Sequence, residues 1–154
     1  MNRRQFVVLA CGAVATGAQA QLTPNLAALR KAALEEAVRK VVGNTPARPG
    51  RVKLDLPPLI ENGNSVPLTV SVDSPMTTAD HVRAIHVFTE KNPQPNVISA
   101  WLGPRAGRAR LSTRARIADT GIVTAVAQMS DGSFWSDSVQ VVVTLSACLE
   151  DGLI

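Results

Sequence analysis

The stretch ARLSTRARIADTGIVTAVAQMSDGSFWSDSVQVVVTL, residues 109–145, decides the fold class. With Arg108 before it, arginines at 108, 110, 114 and 116 fall on one face of an extended chain, while Ala109, Leu111, Ala115 and Ile117 fall on the other. Asp119-Thr120-Gly121 breaks that run, Ile122–Met129 is apolar and β-branched, Ser130-Asp131-Gly132 breaks it again, and Ser133–Leu145 resumes it. Short strands joined by explicit turn chemistry are the texture of an antiparallel sandwich, and spacing alone does not fix their order. The arginine face reads as a solvated outer surface; steering of an anionic substrate or an acidic partner is the lesser alternative.

The same texture extends towards the amino end. Strands are expected at Val52–Leu56, Val66–Val72, Val82–Thr89 and Val97–Leu102, separated by Glu61-Asn62-Gly63-Asn64, Asp73-Ser74-Pro75-Met76, Lys91-Asn92-Pro93-Gln94-Pro95 and Gly103-Pro104-Arg105-Ala106-Gly107. About seven short strands make the chain mainly β, an immunoglobulin-like antiparallel β-sandwich over residues 46–145. The Cys-Cys pair usual inside such domains is missing.

Residues 21–45 have a different character. Thr23-Pro24 supplies an N-cap and a proline at N1, Ala, Leu, Glu, Arg and Lys dominate through Val42, and Gly43-Asn44 closes the segment. Leu26, Leu29, Ala33, Ala37 and Val41 recur at three- and four-residue spacing, so an amphipathic helix is expected. Its apolar stripe needs either the body of the domain or a partner subunit.

Residues 1–20 form a signal peptide. Arg3 and Arg4 lead a short apolar run from Val7 to Ala18, and Ala18-Gln19-Ala20 is an A-x-A cleavage site. The run falls short of the ~20 apolar residues that span a bilayer, so no stable membrane insertion is expected. Arg3-Arg4 followed by Gln5-Phe6 fits the twin-arginine pattern and predicts export to the periplasm, ahead of an ordinary signal that happens to carry two arginines. A lipoprotein reading of Val8-Leu9-Ala10-Cys11 leaves almost no apolar run before cleavage and ranks below the A-x-A site. Losing Arg3 and Arg4 reduces the formal charge from +4 to +2, which leaves no electrostatic case for nucleic acid.

Cleavage also removes Cys11, one of the two cysteines, and leaves Cys148 alone in an oxidising compartment. A single cysteine there signals an intermolecular bond or a deliberately free thiol. It sits in a carboxyl-terminal arm, residues 146–154, roughly 10 Å beyond the last strand. Other catalytic ingredients are sparse. His81 and His86 lie five residues apart and read as ordinary structural or surface histidines. No metal-ligand spacing accompanies them, and Glu35, Glu36, Asp131 and Asp137 are scattered. No phosphate loop or nucleophile elbow is present, so the chain reads as a covalent carrier and not as an enzyme, with no cofactor expected. A thiol enzyme pairing Cys148 with either histidine ranks lowest.

Two segments carry a family resemblance: ENGNSVPLTVSVDSPMTTADHVRAIHVFTEKNPQPNV, and the second from Ala109 through Thr144. The NGN turn, the VDSPMT…DHV stretch, the RIADT turn and the MSDGSFW turn occur in order. The chain resembles the SoxY family of thiosulfate-oxidation carriers from about Leu54 to Cys148. The resemblance implies an immunoglobulin-like, twin-arginine-exported subunit paired with a SoxZ-like β-domain. Its role falls on Cys148, which would be joined oxidatively to thiosulfate by the SoxAX c-type cytochrome, then presented to the SoxB hydrolase and a sulfane dehydrogenase. Family members close with Gly-Gly-Cys-Gly-Gly, whereas Cys148 is preceded by Ser146-Ala147 and followed by Leu149-Glu150-Asp151. Lost glycines stiffen and thicken the arm, and the nearby acids disfavour the thiolate. The alternative role is therefore a SoxY-like scaffolding paralogue that keeps the partner interface with impaired carrier chemistry.

Overall fold

A computed structural model of the chain describes residues 22–146. The signal segment with Arg3, Arg4 and Cys11, and residues 147–154 with Cys148, lie outside the described residues.

One helix, α1 (Leu22–Val42), precedes nine strands among the described residues: β1 (Arg48–Pro49), β2 (Val52–Asp55), β3 (Leu59–Ile60), β4 (Val66–Val72), β5 (Val82–Thr89), β6 (Asn96–Trp101), β7 (Arg110–Ala115), β8 (Gly121–Met129) and β9 (Phe134–Val143). Seven match the expected strands to within a few residues. The two additions, β1 and β3, are two-residue segments that pair parallel with β9. They correct the purely antiparallel expectation: runs that short carry no periodicity of their own and form because β9 offers them a ladder.

The larger sheet runs β1-β9-β8-β5-β6, with β3 also on β9, and the smaller runs β2-β4-β7. Side chains from the two inner faces interdigitate as a single core, in which Val66, Val70, Ile85, Val87, Val123, Met129 and Val141 are almost wholly buried. The two sheets are also joined through Asp137 on β9, whose Oδ2 accepts the Leu54 amide of β2 at 2.8 Å. The arginine alternation holds in space: Arg108, Arg110, Arg114 and Arg116 are exposed, while Ala109, Ala115 and Ile117 are buried.

β5 is buried at every position except Arg83. A strand covered on both faces loses polar alternation, which is why VRAIHVFT reads as a nearly continuous apolar run. A register shift between Val82 and Ala84 lets both Val82 and Ile85 face the inner core although three residues separate them. The outward set, including Phe88, joins Val126 and Phe134 in a second cluster that receives Leu34, Ala37, Val38, Val41 and Val42 of α1. The helix therefore packs on the body of the domain, through a different stripe from the expected one. Ala37 and Val41 are in it, but Leu26, Leu29 and Ala33 are exposed, and Leu34 and Val38 take their place. Spacing alone leaves neighbouring stripes of a short-repeat helix nearly equivalent; the position of the Phe88 cluster under its last two turns selects one. Gly43, with φ 60°, ends the helix in the left-handed conformation, its amide donating to the Arg39 carbonyl at 2.8 Å.

Candidate functional site

The sandwich has two poles, and the loops divide between them. At one pole, the 73–81 connection meets the β8–β9 turn: the His81 amide donates to Ser130 Oγ (3.1 Å), the Ser130 hydroxyl donates to the Ala79 carbonyl (3.1 Å), and Arg51 pairs with Asp80 at 3.3 Å. Arg51 and Met76 take positive φ there, 54° and 52°, inside a hydrogen-bonded frame that holds them. The other pole carries the root of the carboxyl-terminal arm.

After β9 ends at Val143, the chain is clamped between two loops. On one side the Thr144 amide donates to the Ile60 carbonyl (2.9 Å), the Leu145 amide to the Glu61 carbonyl (3.2 Å), and the Gly63 amide to the Leu145 carbonyl (3.0 Å). On the other side Thr120 Oγ1 accepts the Val143 amide at 2.9 Å and returns its proton towards the Val143 carbonyl at 3.4 Å. The Ser146 hydroxyl donates to Asp119 Oδ1 at 3.5 Å, an oxygen already held by the Thr120 amide at 2.7 Å. The Ile117 amide donates to the Gly63 carbonyl at 2.8 Å, tying the two loops to each other. Asn62 shapes its loop by accepting both the Asn64 amide (2.9 Å) and Nδ2 (3.0 Å), an Asx turn.

The root of the arm is thus fixed to Ser146, and Cys148 lies two residues beyond, at most about 7 Å along an extended chain. The Asn62-Gly63-Asn64 and Asp119-Thr120-Gly121 turns, marked in the sequence as loop punctuation and as motifs of the family resemblance, supply the clamp. Thr120, Gly63 and Asp119, which hold Val143 to Ser146, are the residues of this pole that sequence reasoning passed over; a threonine and a glycine in turns carry no mark of what they will meet. Replacing Thr120 with Val leaves the Val143 amide without its acceptor, which costs about 1–2 kcal/mol. The expected result is amide exchange at Val143 and Leu145 faster by roughly tenfold, with the far pole unchanged, read by hydrogen-exchange NMR.

The structure does not bring the histidines to this root. His81 stands at the opposite pole, with Nδ1 3.1 Å from the Thr77 carbonyl. His86 is buried beneath α1, Nδ1 2.8 Å from Ser99 Oγ, stacked near Phe88 and edge-on to Trp101. Burial holds its imidazole below the ordinary 6.5. The folded state then binds fewer protons than the unfolded one, so this contribution to stability is present above pH 6.5 and is lost as pH falls through the folded value. The denaturation midpoint should drop between pH 7.5 and 5.5, and His86→Gln should flatten that limb; an unchanged limb would show that other groups set it. Among the described residues no cluster of three or more His, Cys, Asp or Glu could hold a metal ion. Among them, too, no helix is long and apolar enough to cross a membrane.

A family model described as sulfur oxidation protein SoxY matches residues 38–148, a span that ends on Cys148. Among solved structures, the fold is similar to the sulfur carrier protein SoxY from Chlorobium limicola f thiosulfatophilum, with 28% identity, a TM-score of 0.62, and coverage of 75% of this chain and 99% of that one. Superoxide reductase (neelaredoxin) from Ignicoccus hospitalis is similar at 17% identity and a TM-score of 0.54, covering 70% of this chain and 86% of that one, a likeness of fold alone. No curated protein matches the chain.

Proposed function

We propose that this chain, which belongs to the SoxY family of sulfur oxidation proteins, is a periplasmic sulfur carrier that holds its cargo covalently on Cys148. The observation that carries the reading is the clamp. Hydrogen bonds from two loops hold the chain from Val143 to Ser146, so a fixed root sits two residues before the one cysteine left after signal cleavage. A carrier needs that combination of an anchored base and a reactive group just beyond it.

The chemistry assigned to the thiol balances as follows. Cys148 loses its proton, a sulfur–sulfur bond forms to the outer sulfur of thiosulfate, and two electrons pass to a c-type cytochrome of the SoxAX kind. Hydrolysis by a SoxB-like partner then breaks the bond to the sulfonate sulfur, releasing sulfate and two protons and leaving a persulfide for a sulfane dehydrogenase. The chain contributes the sulfur and its position, and the partners contribute the redox and hydrolytic steps. Export through Arg3-Arg4 supports a folded, preassembled carrier. Trp101 on the edge strand β6 is 76% exposed, and Leu26 and Leu29 on α1 are also exposed. Large apolar side chains beside an open sheet edge support a SoxZ-like β-domain as the standing partner.

The intact mass of the protein isolated from its host tests the reading: an adduct that maps to the Cys148 peptide and leaves on reduction is the expected result, and an unmodified thiol under thiosulfate-oxidising conditions overturns it. The scaffolding alternative rests on Leu149, Glu150 and Asp151 standing where a thin, uncharged arm would be expected.

A further inference from the structure

We propose that β6 pairs antiparallel with β6 of a second copy of this chain, each copy's α1 reaching across the joint to cover the other's Trp101. The pairing goes beyond the carrier reading and does not depend on it. β6 ends the larger sheet and, among the described residues, pairs only with β5, so one row of its backbone N–H and C=O groups faces outward. Asn96–Trp101 carries no charged residue, whereas β7, an edge of the smaller sheet, carries the exposed Arg110 and Arg114. Two copies of β7 would set arginines against arginines; two copies of β6 meet without that repulsion.

The course of α1 shows where it leaves the sheet. Its carboxyl end lies on the β9 side, because Arg48, which soon follows Val42, pairs with Trp135. From there the helix rests on Phe134, Val126 and Phe88, which stand on β9, β8 and β5, and it lies against β5 and β6. Phe134 is level with Trp101 through Gln128 and Ala84, Val126 is level with His86, and Phe88 is level with Asn96. The three therefore step diagonally across the sheet, and the line they draw leaves it over the Asn96 end of β6. Apolar packing of the helix begins at Leu34, so residues 22–33 run on past the edge, ~18 Å at 1.5 Å per residue. Leu26 and Leu29 in that overhang are 42% and 59% exposed. At the other end of β6, Trp101 meets the His86 ring edge-on and leaves 76% of its surface exposed.

Antiparallel pairing over the whole of β6 places Trp101 of one copy opposite Asn96 of the other, under the overhanging turns of α1. Leu26 and Leu29 of each copy gain an apolar seat and Trp101 of each gains a cover, the two contacts being related by a two-fold axis. The area is sufficient. The β6 edge is ~20 Å long in a sheet ~10 Å thick, and each overhang is ~18 Å by ~10 Å. One edge, one overhang and one covered Trp101 surface come to about 600 Å² per copy, or about 1,200 Å² for the pair, the lower bound of specific, stable interfaces. A SoxZ-like β-domain would take the same edge, so self-pairing and that complex exclude each other.

Sedimentation equilibrium of the chain as isolated from its host, carrying Cys11→Ser and Cys148→Ser to remove disulfide links between copies, tests the pairing. A monomer–dimer equilibrium is expected, weakened roughly tenfold or more by Trp101→Glu and by Leu29→Glu, with the circular dichroism of the fold unchanged. A second measurement reads the arrangement. When Leu29→Cys and Trp101→Cys chains in the same background are mixed and oxidised, the mixed disulfide should form several-fold faster than either self-linked product. A monomer at ~100 μM, above the micromolar end of affinities for interfaces of this size, would overturn the proposal. So would a dimer that neither substitution weakens, or self-linked products in excess. Neither readout needs Cys148, so a missing adduct would refute the carrier reading and leave the pairing standing, while a monomer would do the reverse.

Discussion

Cys148→Ser is expected to abolish thiosulfate-dependent electron transfer in a mixture of purified partner subunits, while leaving the fold and the partner complex intact. Serine keeps the size and position of the residue, but its oxygen cannot accept a sulfur–sulfur linkage, so every step that proceeds on the arm stops together. The loss should reach the background of a mixture lacking this subunit, because a covalent carrier has no partial substitute. The clamp formed by Gly63, Thr120 and Asp119 acts on Val143, Leu145 and Ser146. Thermal stability should therefore stay within about 0.5 kcal/mol of the parent, the ordinary range for a surface substitution. Turnover assay, intact mass and gel filtration of the same preparation separate the cases. Retained electron transfer in Cys148→Ser would instead make this chain the scaffold, with cargo held elsewhere.

Phe88→Ala should produce the largest loss of stability. Phe88 is fully buried on the outer face of β5 and, with Val126 and Phe134, forms the buried cluster against which the second half of α1 packs. Removing a buried phenyl ring typically costs about 3–5 kcal/mol, from lost transfer energy and the cavity left behind. For a domain of this size that lowers Tm by on the order of 10 °C or more. The loss should be local in origin: hydrogen exchange in 34–42 should rise before that of β5 and β8, since the helix loses its seat while the inner core of Ile85, Val87 and Val123 keeps its packing. Leu29→Ala is the informative control. Leu29 is 59% exposed, so its truncation should change stability by less than about 0.5 kcal/mol. Comparable losses for the two would restore the Leu26–Leu29–Ala33 stripe as the packing face.

The contrast between those substitutions shows where local pattern stops being informative. Strand positions were legible because alternation in RARLSTRARI and turn residues at Asp119-Thr120-Gly121 and Ser130-Asp131-Gly132 act within a few residues of one another. The left-handed Gly132 and the Asp131 carboxylate gripping the Ser133 amide (2.8 Å) and hydroxyl (2.6 Å) are that local chemistry carried out. The helix was legible as a helix, but not its packing face: that depended on Phe88, Val126 and Phe134, which are more than 40 residues further along the chain. The candidate site divided in the same way. A cysteine beyond the last strand was visible from its position alone. Val97 and Ile98 of β6 and Arg114 of β7 belong to edge strands of different sheets, and no short sequence window shows that they meet.

By itself, then, the sequence determined a mainly β domain with a leading helix, and a cysteine at position 148, past the last strand. Only the tertiary structure decided that the NGN and DT-G turns close on the end of β9, and that Thr120 holds Val143 and Gly63 holds Leu145. The physical reason is range. Backbone preference and side-chain periodicity act over neighbouring residues, whereas a clamp forms when hydrogen-bonding groups 23 to 84 positions apart are delivered to one pole by sheet pairing, and no local preference encodes that meeting.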